Sequence, residues 1–188
     1  PATEPGERLY LDLAGPYAKS IGGSRYWFKM VDEVSNKSFD FFLKTKDQAA
    51  SKAEIVLKML FGKGIKVKFL RCDNAGENMK ALRYVCEGGL GAEIFVQLEY
   101  TAPHTPQHNG VVERRFATDG KRAFASMLER GWHQETRDLL WCEAVFTASL
   151  LGNNLARPES GKSANVIFEG KNDAFFQAEV LQPFGRIG

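Results

Sequence analysis

Three acidic residues occupy positions that are unusual for carboxylates. Asp12 interrupts the apolar run LYLDL at 9–13, although aspartate is depleted in strands and costly to bury without a partner. Asp73 stands where a predicted strand ends, and Glu113 falls in the first turn of a predicted helix. If the first and fourth predicted strands are neighbours, Asp12 and Asp73 point into one place. The loop before Glu113 can then bring that residue over them.

Three converging carboxylates have a specific chemistry. They repel one another and raise one another's pKa values unless a cation neutralises them. Oxygen ligands without Cys or His partners suit Mg²⁺ or Mn²⁺ rather than zinc. Two such ions, about 3.5–4 Å apart, can activate an attacking oxygen and stabilise a leaving one in phosphodiester chemistry. On spacing alone an ordinary alternative stays open: Asp12 lies near a surface turn, Asp73 is a loop acid, and Glu113 is a helix-dipole partner.

The elements that must position these residues follow from the apolar periodicity. Alternating and β-branched runs predict strands at residues 8–13, 26–34, 39–43, 65–72 and 92–98. Helical periods and cap residues predict helices at 45–62, 74–88, about 111–130 and 134–151. A capping box at Thr45 and Gln48 opens the first helix, and Gly131 and Gly152 are expected to close the last two.

The order of these elements predicts the fold class. Three strands joined by short turns indicate an antiparallel meander, and helical crossovers follow. We therefore predict an α/β fold with a five-stranded mixed sheet, three antiparallel strands first, flanked by helices. Because no repeat or linker is present, residues 1–156 are interpreted as one core domain. Residues 157–188, punctuated by Gly and Pro, are interpreted as a partly irregular C-terminal extension.

Composition limits the function classes only weakly. The chain has 188 residues, 44% of them hydrophobic, with 25 Lys and Arg against 23 Asp and Glu, for a net charge of +2. This balance neither favours nor excludes a nucleic-acid partner. Three cysteines without CxxC spacing predict reduced intracellular thiols, and no apolar stretch approaches the ~18 residues of a membrane span. The start at Pro1 rather than Met suggests a piece of a longer protein.

Local motifs then point to a known family. The segments DNAGEN at 73–78 and TPQHNGVVER at 105–114 resemble the catalytic core of retroviral-type integrases, most closely those of copia-type LTR retrotransposons. Supporting segments are LDLAGP at 11–16, VDEVS at 31–35, LWCEAV at 140–145 and PFG at 183–185. The resemblance extends from about Gly6 to Gly185, and the TPQxNGxxER segment is its most specific part.

The resemblance implies an RNase H-like fold and a DDE active site in which Asp12, Asp73 and Glu113 are the catalytic residues and the ligands of two Mg²⁺ or Mn²⁺ ions. The implied reaction is phosphoryl transfer on DNA, with 3′-end processing followed by strand transfer of element DNA into target DNA. The implied partners are double-stranded DNA, as element ends and target, and further copies of the chain. The implied locations are cytoplasmic virus-like particles and, at integration, the nucleus.

Further residues are candidates for supporting roles. Gln107, His108 and Asn109 lie on the loop that approaches DNA in this family, although Asn109 is equally suited to cap a helix. Arg114 and Lys121 are candidate phosphate contacts on the helix of Glu113, and a solvated helix face is an equal alternative for each.

Asn74 and Glu77 follow the second aspartate. They are expected to support the metal ligands, by hydrogen bonding and helix capping, rather than to bind metal themselves.

Two other function classes remain open. One is a catalytically inactive or domesticated DNA-binding or assembly module derived from an integrase, which would be free to lose the three acids. The other is a different RNase H-like nuclease or transposase, which would not require the integrase-type loop sequence before Glu113. The intact carboxylates and the loop sequence favour the integrase.

Overall fold

The computed structural model describes residues 1–73, 85–86, 96–100 and 110–170. Five strands are present in this part of the chain: β1 (Arg8–Ala14), β2 (Tyr26–Asp32), β3 (Ser38–Leu43), β4 (Phe69–Cys72) and β5 (Gln97–Tyr100). Three long helices are described: α1 (Gln48–Gly62), α2 (Gly110–Glu129) and α3 (Gln134–Asn154). A short helix, α4 (Ala164–Glu169), follows them. Predictions for the remaining residues, including the helix after Asn74 and the PFG segment, lie outside the described residues.

The strands form one mixed sheet in the order β3-β2-β1-β4-β5. β1 pairs antiparallel with β2, and β2 with β3, as short turns between consecutive strands require. β4 joins β1 in parallel because α1 carries the chain back across the sheet, and β5 pairs in parallel with β4. The predicted five-stranded mixed sheet, with three antiparallel strands first and helices at its sides, is confirmed.

Each face of the sheet is covered by different helices because successive strand residues point to opposite faces. Leu9 and Leu11 of β1 pack into a core with Leu57 and Leu60 of α1. Tyr10, between them, packs on the other face against the start of α2. On that second face a further cluster joins β2 to α2 and α3, with members including Trp27, Ala123, Met127, Trp141 and Ala148. The acidic residue Asp12 shares the parity of Tyr10 and therefore this second face.

The strand predicted over 65–72 begins only at Phe69. Residues before it close the end of α1 instead, since the Ile65 N–H donates to the Leu60 carbonyl and Gly64 has φ of 74°. The N–H groups of Lys68 and Phe69 both donate to the Glu7 carbonyl, which begins the pairing with β1. The alternation of lysine and apolar residues at 65–69 thus reflects a loop, and the prediction of a longer strand was wrong.

Gly152 does not end α3 as expected, because the helix continues to Asn154. A Cβ atom at Gly152 would lie 2.5 Å from Nη2 of Arg115, so the missing side chain makes room for a guanidinium from α2. The glycine is a packing position inside the helix rather than a C-cap.

The residues after 156 pack on the core as far as they are described. Ser163 caps α4 by accepting a hydrogen bond from the Val166 N–H at 3.2 Å. Phe168 of this helix lies in the core cluster under α1, with its ring edge against Phe39 of β3. No helix in the described part of the chain is long and apolar enough to cross a membrane.

Candidate active site

The β1–β4 pairing brings two predicted site residues to one edge of the sheet. Leu11 stands opposite Cys72 in this parallel pair, so the next residues along the two strands are Asp12 and Asp73. Asp12 is half-buried and its Oδ1 accepts a hydrogen bond from the Leu13 N–H at 2.7 Å, while Asp73 is exposed. Since carboxyl ends of parallel strands meet at one edge, this is the place where α/β sheets commonly carry ligand sites.

Glu113 reaches the same edge from above the second face of the sheet. It lies in the first turn of α2, and its neighbour Val112 is fully buried against Tyr10 and Val31. Because Tyr10 precedes Asp12 by two positions, the start of α2 covers the face from which Asp12 projects. Glu113 itself is exposed.

The three carboxylates interact electrostatically. The pKa of Asp12 is raised, first by burial and then by the negative charges of Asp73 and Glu113, while the hydrogen bond from Leu13 acts in the opposite direction. Like charges held together in this way favour protonation or a bound cation. A divalent cation with oxygen ligands is the ion that such a donor set fits.

The three carboxylates are farther apart than the ligands of one metal ion. Within the described residues, no group of three or more His, Cys, Asp or Glu side chains stands close enough together to hold a metal ion. Charge effects extend further than coordination distances, so this finding and the raised pKa of Asp12 are compatible: the acids are neighbours, at separations longer than ligation requires.

Tyr17 lies near Asp12 and was not predicted as a site residue. Burial raises the pKa of its hydroxyl, and the negative charge of Asp12 raises it further. The ring packs on Trp141 of α3 with centroids 4.9 Å apart. Gly15 allows the turn that leads there, because it has φ of 123° and a Cβ would lie 2.7 Å from the Arg25 carbonyl oxygen. In the sequence, Gly15-Pro16 after Asp12 was the signal for a turn that could place Tyr17 near this aspartate.

A buried cluster of charges lies under α2 and was also missed. The ammonium of Lys29, on β2, is fully buried and lies 2.8 Å from Oδ1 of Asp40 on β3 and 2.7 Å from Oδ2 of Asp119 on α2. The indole N–H of Trp27 also donates to Asp40, at 2.7 Å. A lysine inside the buried strand YWFKMVD was the sequence signal for this cluster.

Arg115 extends the cluster to α3. Its Nε lies 2.9 Å from Oδ2 of Asp119, and its Nη2 donates to Oδ1 of Asn153 at 3.1 Å and to the Ser149 carbonyl at 3.4 Å. Four elements (β2, β3, α2 and α3) are therefore joined by buried charged hydrogen bonds. The cluster thus links α2, the helix that carries Glu113, to both strands and to α3.

Two of the other predicted contact residues are described by the structure, and the rest are not. Arg114 and Lys121 are exposed on α2, where each can reach solvent. The remaining predicted contact and supporting residues lie outside the described residues: Asn74, Glu77, Gln107, His108 and Asn109.

Comparisons with solved structures identify the class of fold. The HTLV-2 integrase catalytic core domain in complex with magnesium, in its trimeric form, superposes with a TM-score of 0.60 at 17% identity over 88% of this chain and 97% of that chain. The catalytic core domain of BIV integrase gives a TM-score of 0.58 at 16% identity over 87% and 93%. A chain of the simian T-cell lymphotropic virus intasome, in complex with PP2A regulatory subunit B56 gamma, gives 0.65 at 15% over 88% and 55%. The chain thus has the RNase H-like fold of retroviral integrase catalytic cores.

Sequence comparisons give the family. The chain is 35% identical, over 151 residues and 77% of its length, to a Retrovirus-related Pol polyprotein from transposon TNT 1-94 of Nicotiana tabacum. It is 29% identical over 117 residues, 61% of its length, to that from transposon RE2 of Arabidopsis thaliana. These matches cover 10% and 8% of the polyproteins, so the chain spans about a tenth of their length. No protein-family model matches the chain.

The predicted resemblance to retroviral-type integrase cores, and to copia-type elements among them, is confirmed by fold and sequence together. The chain is a relative of retrotransposon Pol polyproteins, and it has the fold of retroviral integrase catalytic cores.

Proposed function

We propose that the chain is the catalytic core of an LTR-retrotransposon integrase, acting by metal-dependent phosphoryl transfer on DNA in 3′-end processing and strand transfer. The observation that carries this proposal is the approach of Asp12, Asp73 and Glu113 from three elements: the pKa of Asp12 is raised first by burial and then by the negative charges of the other two acids. Structural ion-pair networks also shift pKa values, but this group consists of like charges at a strand end. Such an arrangement costs free energy and gives no stability in return, which supports a functional role.

Asp12, Asp73 and Glu113 are the residues that would hold two Mg²⁺ or Mn²⁺ ions. Bound there, the ions would lower the pKa of an attacking water or 3′-hydroxyl and neutralise charge on the leaving oxygen. A magnesium complex of the HTLV-2 integrase core, which has the same fold, supports the choice of ion. The chain contributes orientation: the Leu13 N–H fixes one oxygen of Asp12, and the buried side of α2 fixes the approach of Glu113.

The proposed partners are double-stranded element ends, target DNA and further copies of the chain. Arg114 and Lys121 extend from the exposed side of α2 near Glu113, as contacts to DNA phosphates require. The existence of dimeric and trimeric forms of the HTLV-2 core and of a viral intasome supports assembly. The protein would accordingly work in the nucleus at integration and be carried in cytoplasmic virus-like particles before it.

A strand-transfer assay tests the proposal. The chain is incubated with labelled element-end duplex and Mn²⁺, beside the variant Asp73→Asn and the control variant Asp47→Asn. Asp47 is exposed at the start of α1 and its side chain makes no cap hydrogen bond, so its substitution changes charge equally but away from the site. We expect joined products from the wild type and the control and none from Asp73→Asn.

Calorimetric titration with Mn²⁺ separates metal binding from chemistry. The wild type should bind Mn²⁺ and Asp73→Asn should bind it more weakly by at least about tenfold, because one charged ligand of a site rich in like charge is removed. Equal strand transfer by the wild type and Asp73→Asn would refute the proposed site. Metal and DNA binding without any strand transfer would favour the inactive assembly module instead.

A further inference from the structure

A cleft of about 530 Å³ lies between α2 and residues 155–159, the chain that follows α3. The turn after β2 also lines it, through Glu33 among others. That turn lies at the start of β1, since the Glu33 N–H donates to the Arg8 carbonyl at 3.1 Å, whereas Asp12 lies toward the other end of this strand. Among the described residues that line the cleft, none is one of the three proposed metal ligands. The cleft is therefore a separate feature of the surface.

Guanidinium groups lie on both walls of the cleft. Arg114 and Arg122 are exposed on α2, eight residues and therefore about 12 Å apart along the helix axis. Arg157, on the opposite wall, is half-buried, and its Nη2 donates to the Ser35 carbonyl. Burial lowers the pKa of Arg157, and the positive charge of Arg115 lowers it further. An anion that enters the cleft would stabilise the charged form of Arg157.

The acids among the described lining residues leave much of this positive charge uncompensated. Glu33 is engaged elsewhere, since its Oε2 lies 2.9 Å from Nη1 of Arg8 and its Oε1 accepts from the Tyr10 hydroxyl at 3.2 Å. Glu159 is the other acid, and it is exposed. Its effect on the pKa of Arg157 is smaller than the effects of burial and of Arg115. A ligand of this cleft should therefore be acidic.

The cleft also has an apolar lining. Leu155 directly follows the last residue of α3, and 48% of it is exposed. Val34, Val111 and Pro158 line the same cleft. A ligand that offers only negative charge, such as a phosphodiester backbone, would leave these apolar groups in contact with water. A peptide can cover them with an apolar side chain while its carboxylates pair with the arginines, and burial of apolar surface then adds to the affinity.

We propose that this cleft binds an extended acidic peptide segment of a partner protein, in which an apolar side chain stands between two acidic ones. In an extended segment alternate residues point to the same side, and four residues span about 13 Å. Two acidic residues four positions apart thus match the spacing of Arg114 and Arg122, and the residue midway between them faces the same way. The inference does not depend on the proposed function, because peptide binding requires neither metal nor DNA.

Fluorescence anisotropy with a short labelled peptide tests the cleft without metal or DNA. The peptide consists of Gly and Ser, with two glutamates four positions apart and a leucine midway between them. One matched peptide has glutamine in place of both glutamates, and another has serine in place of the leucine. Each is titrated with the wild-type chain, Arg122→Gln, Arg157→Gln and Leu155→Ser. Arg114 is not substituted, because it is also a proposed DNA contact.

Lys58→Gln is the control variant for the loss of one positive charge. Lys58 is exposed on α1, which packs on the opposite face of the sheet from α2, and its ion pair with Glu54 is a surface pair. The variant should bind the peptide as the wild type does. A general loss of affinity on removal of any positive charge would appear here as well, and would overturn the assignment to the cleft.

The expected losses follow from the environment of each group. Arg122→Gln should weaken binding by about fivefold, as for one exposed ion pair, and Arg157→Gln by about tenfold, because this guanidinium is partly desolvated. Arg157→Lys should bind more tightly than Arg157→Gln, since the charge remains although the bond to Ser35 is changed in both. Leu155→Ser should weaken the leucine peptide by about fivefold and leave the leucine-free peptide unchanged.

Four further results would overturn the proposal. They are no saturable binding of the leucine peptide up to about 1 mM chain, wild-type affinity in both arginine variants, equal binding of the leucine-free peptide, and loss of DNA duplex binding in those variants while the peptide binds normally. The last result would assign the cleft to DNA. Failure of the proposed function is separate, since a chain that binds the peptide but never joins strands keeps this cleft, and one that joins strands without binding the peptide loses it.

Discussion

Replacement of Lys29 by methionine tests whether the buried charges hold α2 on the sheet. The Lys29 ammonium is fully buried and contacts Asp40 at 2.8 Å and Asp119 at 2.7 Å. Arg115 lies beside Asp119, so the cluster holds two positive and two negative side chains and has no net charge. Lys29→Met has a similar length and apolar body but leaves this cluster with one net negative charge. Two carboxylates then share the interior with a single guanidinium.

The expected cost follows from the loss of one partner in a buried ion pair, about 3–5 kcal/mol of unfolding free energy. Loss of the ammonium over the Trp27 ring, 4.7 Å from its centroid, adds to this cost. For a chain of this size, each kcal/mol corresponds to about 2–4 °C in Tm, so Lys29→Met should lower Tm by about 6–20 °C. An exposed pair is worth far less, so Lys58→Met should cost under ~1 kcal/mol.

Urea denaturation monitored by tryptophan fluorescence and far-UV circular dichroism measures both variants. The double variant Lys29→Met with Asp119→Leu completes the comparison, because Arg115 and Asp40 then balance again. We expect the double variant to cost less than the sum of its single variants, with a coupling of about 1–3 kcal/mol. If Lys29→Met unfolds within about 1 kcal/mol of the wild type, or the two changes are additive, the cluster does not hold α2 as argued.

Two further predictions concern packing and pH. Gly152→Ala should destabilise the chain by about 1–3 kcal/mol in urea titrations, since its methyl group would lie 2.5 Å from a buried guanidinium nitrogen. The matched change Gly120→Ala, whose nearest contact is 3.8 Å, should be neutral or stabilising by up to ~1 kcal/mol. By NMR titration the Glu7 carboxyl should have a pKa of about 2, because the Thr3 N–H and then the Lys68 ammonium stabilise its charged form. Its stabilising effect is present above its ordinary pKa of 4.5 and is lost as pH falls through about 2, and Lys68→Gln should raise the midpoint.

Sequence reasoning anticipated the elements that depend on local periodicity. The meander, the parallel return and the position of Glu113 in the first helical turn all follow from alternation and turn residues. Together they predicted that Asp12 and Asp73 would point into one place if the first and fourth strands are neighbours, and the β1–β4 register supports this. The charge effects on Asp12 required coordinates, because no periodicity specifies how closely α2 approaches the sheet.

The errors arose where a contact distant in sequence determines a residue's role. Gly152 has the sequence context of a helix C-cap, yet a glycine is needed there because the Arg115 side chain of the preceding helix occupies the space of a Cβ atom. No role was predicted for Lys29, because its partner Asp119 lies 90 positions away in the sequence. Local patterns carry no information on such pairs. A lysine at an inward strand position should therefore prompt a search for a buried acid on the covering helix.

The near-neutral net charge is compatible with a DNA-binding surface because much of the acidic charge is used internally. Asp40 and Asp119 pair with Lys29, and Glu33 and Glu99 both pair with Arg8. The net charge of +2 counts the charges of these internal pairs together with those of the exposed arginines on α2, Arg114 and Arg122. Since exposed charges are screened beyond about 10 Å at 0.1 M salt, a phosphate responds to the charges near it and not to the total charge of the chain. Net charge is thus a poor guide to DNA binding for a chain in which several acids are paired with basic residues inside the fold.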